Sequence, residues 1–517
     1  MNGAEALIQT LADNGVDVCF ANPGTSEMQL VAAIDNQPGM RAVLGLFEGV
    51  VTGAADGYGR MAQRPAATLL HLGPGLGNGL ANLHNARRAR TPVINVVGDH
   101  ATHHRKYDAP LTSDVEGVAR PMSDWVRTSS SPTDLASAGA EAVEAAMAYP
   151  GQIATVIAPA DHAWTEGAAP AARINRHPAP TVSDDEIARA AKALKENSPA
   201  TLYLGGRALL DDALEQAGRI AAATGARLIC ETFPARLQRG AGRTPIERLP
   251  YFGEMAAEYL KDFRSIVCVG AKPPVSFFAY PGKPGWLSPE SADVLHTASG
   301  REDAADCLRR IADHLGAPDE PASRQPAFKP PRQGDQLDPT TLAAVIANFM
   351  PEDAIVSDEA ATAGLAIFPM TQGAPKHDWM TLTGGSIGQG LPLAAGAAIA
   401  CPDRKVIALQ ADGSAMYTVQ ALWTMARENL DVTTVILNNG SYAILNIELA
   451  RVGVTEPGPK ALSLLDLTNP AINWASISEG MGVPAIRADT AASFQKAFED
   501  AMAHKGPRLI EAVLSQV

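Results

Sequence analysis

Apolar residues along this chain gather in short blocks, and between the blocks they recur every three or four positions. VIALQ (406–410), AATLLH (66–71), AVLGLF (42–47) and TTVILNN (433–439) are strand-length runs of apolar and β-branched residues. SAMYTVQALWTMAREN (414–429) and GVVTGAADGYGRMA (49–62) read as helices, as does ALLDDALEQAGRIAAATG (208–225) between ATLYLGG and ARLICE. The opening MNGAEALIQTLADNGVDVCF is an amphipathic helix leading into a strand. Strand and helix in steady alternation predict doubly wound parallel sheets. Two Pro/Ala-rich stretches, 166–182 and 317–336, read as extended linkers. They divide the chain into 1–165, 183–316 and 337–517, so the predicted fold is α/β with three doubly wound parallel-sheet domains.

Composition narrows the setting. With 517 residues, 46% of them hydrophobic, the chain can fill about three cores. A formal charge of −14 argues against nucleic acid and acidic membranes as partners. No apolar run reaches the length of a membrane span. Cys19, Cys230, Cys268, Cys307 and Cys401 show no CxxC or metal spacing, which points to a reducing cytoplasm.

One span carries chemistry. In ADGSAMYTVQALWTMARENLDVTTVILNN (411–439), Asp412 ends one predicted strand and Asn439 ends the next. Both then lie on the edge where parallel sheets bind ligands. Asp412, Asn439 and a backbone carbonyl near Ser441 offer hard oxygens for Mg²⁺ and leave positions for diphosphate oxygens. Gly413 admits a phosphate close to the backbone, and Ser414 opens a helix whose free N–H groups favour an anion. Taken singly, DGS and NNG are ordinary turns.

The spaced pair resembles the diphosphate motif of thiamine-diphosphate enzymes, GDG followed by NN, with Ala411 in place of the first glycine. The resemblance runs over nearly the whole chain and is nearest to benzoylformate decarboxylase and acetolactate synthase. It implies pyrimidine-binding, central and diphosphate-binding domains in that order. It implies thiamine diphosphate and Mg²⁺ as cofactors, bound between subunits of a homodimer or homotetramer. GGRAL (205–209) is too short a glycine signal for FAD, which is not expected.

The same resemblance assigns roles. Glu48, at the end of AVLGLF, would bond N1′ of the aminopyrimidine and so generate the C2 carbanion; Phe47 stands where the family often has His. A helix N-terminal Glu is the plain alternative. In ANPGTSEM (21–28), Pro23 and Gly24 would lie against the pyrimidine. Thr25 takes the place of a substrate-facing serine, with Ser26 its neighbour, and a simple turn with a helix cap suits both. His71, before the glycine-rich loop LGPGLGNG (72–79), would transfer protons near the reacting carbon. In TLTGGSIGQGLP (381–392), Ile387 would wedge between the cofactor rings, with Gly385 beside it. Thr362 and Tyr442 complete the implied cofactor contacts. His100, His103 and His104 read as a solvated entry loop, not a zinc site.

The implied specificity sets are incomplete. VGAKPPVSFFAYPG (269–282) offers Phe277 and Phe278 where the decarboxylase has a second His. Leu111 stands where the synthase has glutamine, and Asn446, Ile447 and Glu448 replace aromatic bulk; Ile444 and Leu445 are pocket walls or core. The expected function is decarboxylation or carboligation of a small 2-oxo acid, as in acetolactate synthase or benzoylformate decarboxylase. The alternative is a non-catalytic or regulatory thiamine-diphosphate-binding relative of acetolactate synthase.

Overall fold

In the computed structural model, which describes residues 1–175, 177–331 and 334–515, the apolar blocks become strands of three sheets. The first runs in the order Arg41–Leu44, Val18–Asn22, Ala66–His71, Val93–Asp99, Ile153–Pro159 and Trp125–Thr128. All its neighbours are parallel. The second runs Glu247–Arg248, Arg227–Cys230, Ala200–Leu204, Ser265–Val269 and Asp293–Ala298, again parallel. The third runs Ala485–Ala488, Arg508–Val513, Val432–Asn438, Val406–Ala411, Ala354–Glu359, His377–Thr381 and Leu237–Arg239. Its last strand comes from the middle of the sequence and pairs antiparallel with His377–Thr381. The fold is therefore three parallel-sheet α/β units.

Val93, Ile94, Val96 and Val97 are all buried, because both faces of the first sheet are covered. Leu7, Leu11, Leu135 and Val143 of helices Gly3–Asp13 and Pro132–Met147 pack on one face. Helices Glu48–Ala62 and Leu72–Ala89 cover the other, through Val50, Ala54, Leu76 and Leu83. That second core continues into the third sheet through helix Gly390–Ala400. The two helices meet backbone to backbone: a Cβ on Gly57 would fall 2.0 Å from the Leu393 carbonyl oxygen, and one on Gly396 1.8 Å from that of Ala54.

Three local expectations change. The single helix expected over 414–429 is two short ones, Asp412–Ala415 and Ala421–Arg427. Thr418 Oγ1 donates to the Gly388 carbonyl at 2.8 Å, and that tertiary bond holds the intervening turn out of the helix. The glycine-rich segment 72–79 is not a loop but the start of helix Leu72–Ala89. Its glycines allow close packing on the neighbouring helix, where Thr52 Oγ1 reaches the Gly79 carbonyl at 2.9 Å. The strand expected to reach Phe47 stops at Leu44, so Glu48 is the first residue of its helix.

Residue 176 of the first Pro/Ala-rich stretch and residues 332–333 of the second lie outside the described residues. The described parts of both contain no helix or strand. The second is tied down by backbone bonds of Ala322 to Gly218, Gln325 to Arg243 and Phe328 to Gly373. All five cysteines are free. Among the described residues no helix is long and apolar enough to cross a membrane.

Candidate active site

Strands Val18–Asn22 and Ala66–His71 are parallel neighbours with Asn22 opposite Leu70, so the turn after the first and His71 at the end of the second share one edge. The ring of His71 packs on Gly24, where an added Cβ would fall 2.3 Å from its Cγ. Thr25–Glu27 forms a short 3₁₀ turn with Thr25 exposed and Glu27 fully buried. Glu27 Oε2 accepts the Gly24 N–H and His71 Nδ1, both at 2.7 Å, and its Oε1 accepts Ser26 Oγ at 2.6 Å. Ser26 Oγ also lies 3.2 Å from His71 Nδ1. A buried carboxylate needs such partners. The network assigns the proton to Nδ1 and leaves Nε2 of His71 for other work.

The sequence reading passed over Glu27. Its one local signal is the Gly24-to-Glu27 spacing of a capping box. Its room comes from Gly98 at the end of a distant strand, where a Cβ would fall 1.8 Å from Glu27 Oε1.

Glu48 opens helix Glu48–Ala62, half-buried, after Phe47 at the N-cap. Asn78 Nδ2 donates to Glu48 Oε2 at 3.0 Å. Gly75 links the two acid–base groups in space: its missing Cβ would lie 3.3 Å from both Glu48 Oε1 and His71 Cβ. Asn78 and Gly75 belong to the segment read as a loop, and its helical turn brings them beside Glu48. Loop 109–113, with Leu111 39% exposed, lies against the same helix start, since a Cβ on Gly73 would meet Ser113 Oγ at 2.2 Å.

On the third sheet, parallel strands Val406–Ala411 and Val432–Asn438 place Ala411 opposite Leu437. Asp412 and Asn439 follow on one edge. Asp412 is only 2% exposed, and its carboxylate accepts the N–H groups of Gly440 at 2.8 Å and Gly413 at 2.9 Å. Burial pushes its carboxyl above the usual range, and those N–H groups partly offset the rise. Asn439 Oδ1 accepts the Ser441 N–H at 3.0 Å. Ser414 Oγ donates to the Ala411 carbonyl and accepts from Gln410 Nε2 at 2.8 Å. The ring of Tyr442 lies over Gly413, where a Cβ would fall 2.3 Å from it. Asp412, Gly413, Ser414, Asn439, Ser441 and Tyr442 thus stand together. They bring hard oxygens together, and among the described residues no group of three His, Cys, Asp or Glu side chains could hold a metal.

The loop 382–389 is clamped from several sides. Asn85 pairs with Ser386 in both directions, and Asn82 Nδ2 bridges the Gly49 and Gly388 carbonyls. Glu359, buried at the end of strand Ala354–Glu359, accepts the N–H groups of Gly388 and Gly390, both at 2.6 Å, and Gln410 Nε2 at 2.8 Å. Burial raises its carboxyl despite these bonds. Glu359, Asn82 and Asn85 carry no signal in the sequence, since each acts on residues far along the chain. Ile387 is half-buried and outside every hydrophobic core cluster. Gly385, with φ of +73°, faces Phe277, whose ring would meet its Cβ at 2.6 Å. Thr362 precedes helix Gly364–Met370 and is half-buried.

Phe277 also meets Phe278 and Phe233 edge-on and Tyr251 at a tilt. Glu448, on helix Ala443–Arg451, faces this cluster through a bond from Tyr280. Ile444 is half-buried and Leu445 is 45% exposed, so neither is core. His103 lies 3.9 Å from Asp161, and the rings of His100 and His104 lie 5.5 Å apart, tilted to each other, on the first-domain loop.

Comparison with known proteins gives the family. Residues 1–120 match the model of the thiamine pyrophosphate enzyme N-terminal TPP binding domain, and residues 363–512 that of the C-terminal TPP binding domain. The chain is 54% identical, over 99% of both chains, to "Putative acetolactate synthase large subunit IlvX" of Mycobacterium tuberculosis. It is 26% identical to benzoylformate decarboxylase of Pseudomonas aeruginosa, over 98% of this chain and 97% of that one. The solved thiamine diphosphate-dependent 4-hydroxybenzoylformate decarboxylase of Rhodococcus jostii superposes with a TM-score of 0.88 at 26% identity, covering 100% of both chains. Matched by both domain models and, end to end, by a relative 54% identical, the chain belongs to the thiamine-diphosphate-dependent enzymes, in the branch of acetolactate synthase large subunits and benzoylformate decarboxylases.

Proposed function

We propose that this enzyme uses thiamine diphosphate and Mg²⁺ to decarboxylate a 2-oxo acid, releasing an aldehyde or joining the remaining acyl unit to a second carbonyl compound. The observation that carries the reading is the Ser26–Glu27–His71 relay standing across Gly75 from Glu48. Two acid–base groups on one rigid edge are what a reaction needs when it activates a carbon acid and then returns a proton to carbon.

Asp412 and Asn439, with a carbonyl near Ser441, fit Mg²⁺ by their oxygen chemistry. Gly413, Ser414 and Tyr442 would hold the diphosphate, and Thr362, Gly385 and Ile387 the rest of the cofactor. Pro23 and Gly24 would lie against its pyrimidine. Bound thiamine diphosphate would supply an acidic carbon that attacks the 2-oxo carbonyl and takes up the electrons released with CO₂. Glu48 would bond N1′ of the aminopyrimidine and exchange a proton there, which favours the activated cofactor. His71, held in one tautomer by Glu27, moves the later proton through Nε2. Phe277 and Phe278, 43 and 54% exposed, would give an apolar wall that favours hydrophobic substrates; Thr25, exposed at the turn, would face the entering substrate.

In one chain the carboxylates of Glu48 and Asp412 share no hydrogen-bond partner among the described residues. Met28, Leu46, Met416 and Tyr417 stand exposed near the two edges, 41 to 53% accessible. Both facts support a homodimer or homotetramer that brings one subunit's Glu48 to another's Asp412. Five free cysteines support a reducing, cytoplasmic setting.

A panel of pyruvate, benzoylformate and branched 2-oxo acids, followed for CO₂ and carbonyl products with both cofactors present, tests the function. Aldehyde release from the hydrophobic members is expected, while fast acetolactate formation from pyruvate would select carboligation. Silence on every acid despite tight thiamine diphosphate binding would sink the catalytic reading in favour of a regulatory relative.

Glu27→Gln probes the relay. The amide keeps the size of the side chain but presents a donor toward Nδ1, so the tautomer of His71 is no longer fixed. We expect kcat to fall by about a hundredfold, with the cofactor affinity unchanged. A full kcat in this variant would show that His71 works without Glu27.

A further inference from the structure

The C-terminal edge of the middle sheet carries a crevice that this chemistry does not use. From Ala200–Leu204 the chain builds out to one side of the sheet, then returns to the other side at Ser265–Val269. Those two adjacent strands bracket the point where open α/β sheets take ligands. Gly206 follows the first and Gly270 the second, and Gly300 lies beyond Asp293–Ala298. Their φ values are +51°, +72° and +85°, and a Cβ on Gly270 would fall 2.3 Å from the Gly205 carbonyl oxygen. These glycines present no side chain to the crevice, and their N–H groups are taken, that of Gly206 by Glu231 and that of Gly270 by the Ala298 carbonyl.

A cavity of about 80 Å³ opens between these glycines and four arginines, Arg60, Arg90, Arg207 and Arg236. Two of the four are neutralised, Arg60 by Asp56 and Arg236 by Asp378, each at 2.6 Å. Arg90 and Arg207 form no ion pair with a carboxylate among the described residues. Arg90 Nη2 donates to the Ser299 carbonyl at 2.9 Å, while its Nη1 is buried without a partner. Arg207 lies 5.1 Å from the centre of the Tyr149 ring and gives one long bond, 3.4 Å, to the Pro150 carbonyl. Glu231 accepts the Gly206 N–H at 3.2 Å and feels the Arg90 charge, but burial pushes its carboxyl up to about 7. It therefore offsets the two guanidiniums only in part. A partly buried pair of arginines without carboxylate partners is chemistry for an oxyanion.

We propose that this crevice binds one phosphate-sized oxyanion between Arg90 and Arg207, against the Gly206 and Gly270 backbone. Size sets the limit: about 80 Å³ is far below the roughly 300 Å³ at which small-molecule sites begin. Arg90 and Tyr149 come from the first domain, and Arg207 and the glycines from the middle one, so an occupied site also ties the two together.

The test uses the enzyme saturated with thiamine diphosphate and Mg²⁺, so that the diphosphate site of the third domain is filled. In phosphate-free buffer at constant ionic strength, inorganic phosphate should give saturable heat by calorimetry and raise the melting temperature. Arg90→Met and Arg207→Met should each weaken phosphate binding by about tenfold or more, and Arg90→Lys by less. ADP and FAD should bind no better than phosphate. The proposal is overturned by any one of three results: no saturable phosphate heat in the wild type, affinity unchanged in both Met variants, or tighter binding of ADP or FAD.

Discussion

Glu48→Gln is expected to leave thiamine diphosphate bound and to lower turnover by about a thousandfold. The substitution is nearly isosteric: the amide oxygen can still accept from Asn78 Nδ2, 3.0 Å away in the native protein, and still fits against Gly75. Helix Glu48–Ala62 keeps its packing, since Glu48 contributes to it only at the first position. What the amide cannot do is take up and release a proton. The effect should therefore fall on exchange of the cofactor's C2 proton, measured by NMR in deuterated buffer, and on kcat to the same degree. Calorimetric affinity for the cofactor should stay within about threefold, because a neutral acceptor replaces a charged one at a single half-buried contact. Normal C2 exchange in Glu48→Gln would remove Glu48 from the chemistry and leave it a helix-terminal acid that interacts with the dipole.

How far the chain could be read from its residues follows from where each interaction partner lies. The strands were legible because central strands of a parallel sheet are buried on both faces and appear as unbroken apolar runs; Val406–Ala411, read as VIALQ, is one. Asp412 and Asn439 were legible because each ends such a run, which places both on one edge whatever the helix between them does. That helix was misread, since its break is held by a bond from Thr418 to Gly388, residues that no local pattern connects. The segment 72–79 was misread for a related reason. Glycine lowers helix propensity, yet here it is the absence of Cβ atoms that allows the helix to lie on Thr52 and Glu48. Glu27 and Glu359 were invisible because their meaning is tertiary. Glu27 meets His71 at a separation of 44 residues, and Glu359 meets Gly388 at 29. An acid beside two hydroxyl residues in a turn looks like a cap until the room behind it, made by Gly98, is seen.

Asp412→Ala should weaken binding of both Mg²⁺ and thiamine diphosphate by about a hundredfold or more while leaving a folded protein. The native carboxylate is buried, and burial raises its pKa, so the ionised form opposes folding of the cofactor-free protein as pH rises toward neutrality. Removing it relieves that cost and gives up two bonds, from Gly413 and Gly440, worth about 1 kcal/mol each. These terms oppose one another, and the cofactor-free variant should melt within a few degrees of the wild type. With cofactors the two proteins should separate. Ligand at about a hundredfold its dissociation constant stabilises the native state by about 2.7 kcal/mol, which raises the wild-type melting temperature. The variant has lost the only charged oxygen donor of the proposed set, and a diphosphate without its cation meets the partly polar edge with its charge uncompensated. A loss of about a hundredfold or more in cofactor affinity is expected, larger than removal of an outer-shell partner produces, and the melting shift should vanish. Asp412→Asn separates charge from shape, since it keeps one acceptor oxygen near Gly440 but no charge; it should behave like the alanine variant toward Mg²⁺. An undiminished cofactor-induced melting shift in both variants would place the diphosphate and its cation elsewhere on the third sheet.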